Sequence, residues 1–308
     1  PAVAGRCVNG RQDMRWGDFR RSDNVEDRRY SGGGFQIPGG GRGGGLGIGT
    51  ILVLGLIGWA LGIDPRILIG GAEMLSGGGS SYEQAETGTR GAPQDEAGQF
   101  AAAILGNTED VWTEVLPQQA NIAYKAPKMV IFSGATRSGC GFAQSAMGPF
   151  YCPLDQTVYI DLSFFDDMRR RFRAGGDFAY AYVIAHEVGH HVENLLGILP
   201  KVQQAQRQVS QRQANELSVR VELMADCLAG VWANHSEQRW KALEPGDVEE
   251  AMNAAEAIGD DRLQKAGQGY AVPETFTHGS SEQRVRWFMT GLKDGRVQAC
   301  DTFGASRL

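Results

Sequence analysis

The stretch YAYVIAHEVGHHVENLL, residues 180–196, determines the interpretation of this sequence. It follows Asp177, a residue type that favours helix starts, and it ends before Gly197, a residue type that favours helix stops. The run between them is mostly apolar and long enough for five helical turns, which predicts a largely buried helix. An H-E-x-x-H motif, residues 186–190, lies in the middle of this helix.

This motif predicts a metal site. Residues four apart on a helix differ by about 40° in azimuth and about 6 Å in rise, so His186 and His190 face one point. Two imidazoles at this spacing are typical zinc ligands, although the same ligand types also suit iron, manganese and cobalt. Glu187 lies one residue along, where it can take a proton from a zinc-activated water. We therefore predict metal ligation by both histidines and general-base catalysis by Glu187.

A third protein ligand is expected, because catalytic zinc usually binds three side chains and a water. Glu222 and Asp226 are spaced i and i+4 within the apolar run VELMADCLAG, residues 221–230. Buried carboxylates need partners. The pattern predicts Glu222 as the third ligand and Asp226 as the hydrogen-bond acceptor that holds a ligating histidine. The alternative is a solvated acidic stripe on a helix surface.

A second histidine-containing segment, THGSSEQR, spans residues 277–284. Ser280 and Gln283 have the spacing of a capping box, which predicts a helix that begins there. His278 would then lie in the preceding loop, where it could donate a hydrogen bond to the oxyanion of a reacting peptide carbonyl. Arg284, one turn into the helix, would help to organise the site. The alternative for His278 is an ordinary surface histidine.

Residues 46–63 form an uncharged apolar segment, LGIGTILVLGLIGWALGI. Its length is just sufficient to span a bilayer, and a core helix of a soluble domain is the alternative. Eight arginines precede the segment, whereas Arg66 is the only basic residue in the twenty positions after it. The positive-inside bias predicts a single-pass inner (cytoplasmic) membrane protein, with a cytoplasmic amino terminus and a periplasmic catalytic domain.

Composition along the chain predicts four regions. Residues 1–44 are charged and then glycine-rich, which indicates a disordered cytoplasmic tail. A transmembrane helix at 45–63 and a flexible glycine- and serine-rich linker at 64–96 follow. Residues 97–308 form the predicted metallopeptidase domain, an α+β fold that is α-rich and has a small sheet from 128–132 and 157–165. A peptide could pair with the free edge of the second strand.

Four of the five cysteines follow the apolar segment, at positions 140, 152, 227 and 300. Three pairings are possible. We predict disulfides Cys140–Cys152 and Cys227–Cys300, because the first pair closes a short loop and leaves the second; four buried free thiols are the alternative. The formal net charge of −6 argues against a nucleic-acid partner.

Several stretches together resemble a known family. GPFYCPLDQTVYIDLSFF, YVIAHEVGHHVENLLGI, SVRVELMADCLAGVWA, EAIGDDRLQ, FTHGSSEQR and the earlier NVEDRR are similar to the bacterial neutral zinc metallopeptidases of the YpfJ type. This resemblance implies a single-pass membrane protein with a zinc protease domain, and it supports ligation by His186, His190 and Glu222. A more distant similarity to HtpX-like membrane peptidases implies roles for His278 and Arg284.

The sequence thus predicts a membrane-anchored zinc metalloendopeptidase that hydrolyses peptide bonds in peptide or protein substrates. A catalytically silent, metal-stabilised binding or assembly protein of the envelope is the alternative from another class. A metallohydrolase acting on non-peptide substrates is a third possibility. An intact Glu187 favours an active hydrolase, since a purely structural metal site needs no general base.

Overall fold

The computed structural model of the chain describes residues 14–29, 88–91, 93–172 and 174–308. Helices and a small sheet share one main hydrophobic core, so the α+β class is confirmed. The predicted transmembrane helix at 45–63 and most of the predicted linker lie outside the described residues. Across the described ranges, no helix combines the length and apolar character needed to span a membrane.

The elements, numbered in chain order, are as follows. The strands are β1 (Val25–Asp27), β2 (Thr89–Arg90), β3 (Lys128–Phe132), β4 (Ala135–Ser138), β5 (Gly141–Gln144), β6 (Phe150–Cys152) and β7 (Thr157–Asp161). The helices are α1 (Glu96–Ala120), α2 (Ser163–Asp167), α3 (Asp177–Leu195), α4 (Ile198–Gln206), α5 (Gln211–Trp240), α6 (Asp247–Ala257), α7 (Asp260–Gln268) and α8 (Ser281–Asp294). The main sheet has the order β2-β1-β3-β7-β6, and β4 pairs with β5 in a separate hairpin.

The sheet separates two hydrophobic cores, because successive side chains of a strand point to opposite faces. One face packs against the helices through Met129, Ile131, Val158 and Ile160. The other face forms a small core with Ala143 of the hairpin, through Val130, Phe132, Phe150, Cys152 and Tyr159. Strand β7 lies between β3 and β6, so the prediction that it has a free edge is wrong. This strand also ends at Asp161, and the predicted strand residues 163–165 belong to α2.

Both predicted disulfides are present. The bond between Cys140 and Cys152 joins the turn of the β4–β5 hairpin to β6 and so holds the hairpin against the sheet. The bond between Cys227 and Cys300 joins α5 to the segment after α8. Each bond therefore fixes a peripheral segment to an element of the core. Each bond also reduces the conformational entropy of the unfolded chain, which stabilises the fold.

Residues 14–29 are part of the folded domain, so the prediction of a disordered tail is wrong for them. Strand β1 lies inside the sheet, parallel to β3 and antiparallel to β2. The buried Glu109 of α1 accepts hydrogen bonds from Ser22 Oγ at 2.6 Å and Asn24 Nδ2 at 2.8 Å. Arg29 bonds to both Asp27 and Asp95. The charges that suggested disorder are thus paired with partners elsewhere in the domain.

The pairing of β1 with β3 limits how the chain can cross a membrane. The Cα partners Val25 and Met129 lie in adjacent hydrogen-bonded strands, on either side of residues 30–87 in the sequence. A single crossing within residues 30–87 would put paired strands on opposite sides of a bilayer. The predicted topology, with a cytoplasmic amino terminus and an exported domain, is incompatible with this sheet. Residues 14–29 lie on the same side of any membrane as residues 88–308.

We expect reporter cysteines in these two parts to show the same accessibility. Asp18→Cys and Lys201→Cys, each made in a Cys7→Ser background, introduce thiols at exposed positions of the amino-terminal segment and of α4. A membrane-impermeant maleimide added to intact cells, with permeabilised cells as the control, should label both variants or neither. Labelling of only one variant would contradict the shared fold.

Close contacts between α3, α5 and α8 bring the predicted site residues together. A Cβ atom at Gly189 of α3 would lie 2.9 Å from the carbonyl oxygen of Ala225 in α5, so only glycine permits this approach. A Cβ at Gly291 of α8 would overlap the carbonyl oxygen of Cys227 in α5. Helix α5 is therefore packed tightly against both α3 and α8.

Candidate metal centre

The predicted ligands converge between α3 and α5. Glu222 of α5 places Oε2 3.2 Å from His186 Nε2 and Oε1 3.7 Å from His190 Nε2. One ligand atom from each of the three residues lies within 4.8 Å of the others. All three side chains are largely shielded from solvent. The structure thus assembles the His186, His190 and Glu222 set that the sequence predicted.

His186 is held by a buried network around Asp226. The Nδ1 atom of His186 lies 2.8 Å from Asp226 Oδ1, and Tyr182 donates its hydroxyl hydrogen to the same oxygen at 2.5 Å. Arg284 of α8 donates from Nε to Asp226 Oδ2 and from Nη2 to Oδ1, both at 2.9 Å. Asp226 and Arg284 are therefore where the sequence predicted them, whereas Tyr182 was not predicted.

Electrostatics fix the protonation pattern of this network. Burial would raise the pKa of Asp226, but Arg284 and His186 lower it to about 2. Burial would likewise lower the pKa of His186, and the neighbouring Asp226 raises it overall. An ionised carboxylate can only accept hydrogen bonds, so Nδ1 of His186 carries the proton. Its Nε2 is then left to face Glu222.

His190 has a carboxylate partner of its own, which sequence reasoning missed. Its Nδ1 lies 2.8 Å from Oε2 of Glu193, a fully buried residue one turn along α3. Burial raises the pKa of Glu193 to about 7, against the opposing effect of His190. The other oxygen, Oε1, is buried and has no hydrogen-bond partner in the described part of the chain. The i, i+3 spacing in the sequence was the available signal for this pair.

The donor set fits zinc. Each histidine has a carboxylate at Nδ1, which orients the ring and directs Nε2 to the ligand position, and Glu222 adds one oxygen. Two imidazoles and a carboxylate are the protein ligands of one common type of catalytic zinc site. Glu187 follows His186 on α3 and is buried.

His278 lies near the centre but not among the ligands. Its side chain is 49% exposed, and its Nδ1 is 3.2 Å from Oδ1 of Asp260 at the start of α7. Burial would raise the pKa of Glu222, and the charges of His190 and His278 hold it well below its usual range. This coupling between His278 and Glu222 associates the loop before α8 with the metal centre. Asp260 is a further residue that the sequence analysis did not identify.

The two remaining histidines, His191 and His235, have structural partners. His191 receives a hydrogen bond from the Tyr151 hydroxyl at Nδ1 and donates from Nε2 to the carbonyl oxygen of Lys125, at 2.9 and 2.6 Å. Burial lowers the pKa of His191 to about 4, so the ring is neutral at physiological pH. His235 donates to the carbonyl oxygen of Gly295 at 2.8 Å. Neither ring belongs to the ligand set.

A buried helix that carries H-E-x-x-H, together with a carboxylate from another helix, offers the two imidazoles and the carboxylate that suit a zinc ion. The chain belongs to the family whose model is described as "Putative neutral zinc metallopeptidase", which matches residues 14–303. This match includes the folded amino-terminal segment as well as the zinc-binding residues. The cofactor of the site is zinc.

Two relatives show the breadth of this similarity. The chain is 50% identical over 300 residues to the uncharacterized protein YpfJ of Escherichia coli (strain K12), covering 95% of this chain and 100% of the relative. It is 44% identical over 229 residues to the uncharacterized protein Rv2575 of Mycobacterium tuberculosis (strain ATCC 25618 / H37Rv), covering 71% of this chain and 75% of the relative. No solved structure matches the chain.

Removal of the Glu193 carboxylate should weaken zinc binding through His190. We expect Glu193→Ala to lower zinc affinity about 10- to 100-fold, because the Nδ1 partner that orients the ring is lost. Glu193→Gln keeps an acceptor oxygen and should retain most of the affinity. Competition with a chromophoric chelator measures both values, and metal-free thermal unfolding controls for folding. Equal affinity of Glu193→Ala and the parent would contradict this role.

Loss of the Arg284 side-chain charge should strongly destabilise the metal-free protein. Arg284→Met would leave the buried Asp226 carboxylate without its guanidinium partner, with an expected loss of about 3–5 kcal/mol in the free energy of unfolding. Urea denaturation measures this loss. Adding Asp226→Asn to the same variant should restore part of the stability, because a neutral amide needs no cation. An unchanged unfolding free energy in Arg284→Met would show that the pair is unimportant.

Proposed function

We propose that this protein is a membrane-associated zinc metalloendopeptidase that hydrolyses peptide bonds in peptide or protein substrates. The observation that carries the proposal is the convergence of His186, His190 and Glu222, with Glu187 beside them on α3. A site that only stabilised the fold would need no carboxylate next to its ligands. Membership of the zinc metallopeptidase family supports the same reaction class.

Several residues of the site have separate roles in the proposed hydrolysis. Zinc, when bound, supplies a Lewis acid that polarises a carbonyl group and makes water more acidic. Glu187 accepts the proton of the attacking water and then passes it to the leaving amine. His278 donates a hydrogen bond to the carbonyl oxygen as that oxygen becomes negatively charged. Asp226 and Arg284 hold His186 in its ligand orientation throughout.

We propose further that the domain works on the extracytoplasmic side of the inner membrane. Its two disulfides are typical of an oxidising compartment. Because residues 14–29 belong to the same folded body, the proposal places them on that side too. The apolar residues 46–63 would then associate the protein with the membrane without separating β1 from β3.

Substitution of the proposed base tests the function. We expect Glu187→Gln to retain one zinc per chain and to lose cleavage of an unfolded protein such as β-casein by a factor on the order of 10² or more, because the proton acceptor is gone. Glu216→Gln, at an exposed position of α5, is the matched control and should cleave normally. Metal content by mass spectrometry and cleavage by gel electrophoresis are measured on the same samples.

Two outcomes would contradict the proposal. Unchanged cleavage by Glu187→Gln would show that Glu187 is not the base. A parent protein that binds one zinc per chain but cleaves no peptide or protein substrate would favour the metal-stabilised binding protein instead.

A further inference from the structure

The loop that carries His278 is held by two consecutive carboxylates. Asp260 Oδ2 accepts the backbone N–H groups of Thr277, His278 and Gly279, at 2.7, 2.6 and 3.1 Å. Asp261 Oδ1 accepts from both the backbone N–H and the hydroxyl of Ser281, at 2.7 and 2.8 Å. The start of α7 and the start of α8 are thus joined through this loop.

One oxygen of Asp260 remains for the side chain of His278. Three backbone donors fix Oδ2 of the buried Asp260, which also fixes the position of Oδ1. That oxygen is 3.2 Å from His278 Nδ1, and Thr277 Oγ1 is 3.1 Å from the same nitrogen. Both oxygens can accept a hydrogen bond, whereas a carboxylate has no hydrogen to donate. The arrangement therefore favours a proton on Nδ1 and leaves Nε2 as the free nitrogen of the ring.

We propose that Asp260 is a positioning residue that orients His278 and holds its Nδ1 proton, so that Nε2 is the nitrogen that gains and loses the second proton and the protonated ring donates from Nε2 to the substrate. This inference rests on the proposed function, in which His278 donates to the carbonyl oxygen of the substrate. A fixed ring presents its donor where negative charge develops, without reorganisation during the reaction. Asp260 touches no reacting atom and acts through His278.

The charged groups around His278 are consistent with this arrangement. Glu222 of α5, Asp260 of α7 and Arg284 of α8 are the charged residues that influence the ring from the neighbouring elements. Partial burial of the half-exposed His278 would lower its pKa, and the two carboxylates raise it overall. The protonated ring carries hydrogens on both nitrogens, and Asp260 binds the one on Nδ1. The hydrogen on Nε2 is then available to a substrate oxygen.

The tautomer of His278 gives a test that is independent of activity. Protein labelled with ¹⁵N in its five histidines gives distinct nitrogen shifts for the two tautomers, and the spectrum of His278→Ala assigns the resonance. In the zinc-loaded parent protein at alkaline pH, neutral His278 should carry its hydrogen on Nδ1. Observation of the Nε2–H tautomer in the parent would overturn the proposal, and this measurement needs no Asp260 variant to fold.

Asp260→Asn is the decisive substitution, and Asp261→Asn is its matched control. The asparagine oxygen can still accept the backbone N–H groups, but its NH₂ group would face Nδ1, so the neutral ring should change to the Nε2–H tautomer. Because an amide NH₂ group facing Nδ1 disfavours the protonated ring, whose charged Nε2–H is the stronger donor, we expect kcat to fall about 10- to 100-fold with little change in KM. Asp261→Asn should preserve the Nδ1–H tautomer, because Asp261 binds only Ser281 in this loop. Thermal unfolding verifies that both variants are folded.

A double-mutant cycle, in which Asp260→Asn is also made in a His278→Ala background, separates the role of Asp260 from the role of His278 in the proposed function. If Asp260 acts through His278, Asp260→Asn should cause no further loss of kcat there. An equal loss in both backgrounds, or an unchanged tautomer in Asp260→Asn, would overturn the positioning role. If His278→Ala itself left kcat unchanged, the role of His278 in the proposed function would fail, while the tautomer measurement would still decide whether Asp260 holds Nδ1.

Discussion

The buried ion pair between Arg284 and Asp226 is the interaction on which the rest of the site depends. It joins α8 to α5, and through Tyr182 and His186 it also reaches α3. Burying two charges is expensive unless every polar atom is matched, and here Asp226 accepts hydrogen bonds from three different side chains. The small residues at the helix contacts let the three backbones approach closely enough for this match. The geometry of the first zinc ligand is thus a consequence of how three helices pack.

The two histidine ligands are supported in different ways. His186 rests on a carboxylate whose charge is neutralised by an arginine, whereas His190 rests on Glu193, which has no ion-pair partner other than His190 among the described residues. A bound zinc ion brings two positive charges, and Glu222 and Glu193 together offset them. The site is therefore built for an ion of high positive charge, because without one it concentrates buried carboxylates. This charge balance agrees with the zinc cofactor of the family.

The amino-terminal segment is an integral part of the folded domain. Strand β1 stands between β2 and β3, so the domain needs chain from both sides of residues 30–87. The family match also begins at Met14, so the family model includes this segment. Residues 30–87, which include the apolar segment 46–63, therefore connect two parts of one folded domain. Both ends of residues 30–87 must therefore lie on the same side of a membrane.

The sequence by itself determined the features that depend on local geometry. Helical periodicity placed His186 beside His190 and Glu222 beside Asp226, and capping rules located the start of α8, because each involves residues at most four apart. Only the tertiary structure decided the long-range partners. Arg29 looked like part of a disordered charged tail because its partner Asp95 is 66 residues away. Asp260 gave no signal because it lies 18 positions before His278, with most of α7 between them. Charge composition and spacing cannot reveal such pairs, since loop paths and helix packing bring them together.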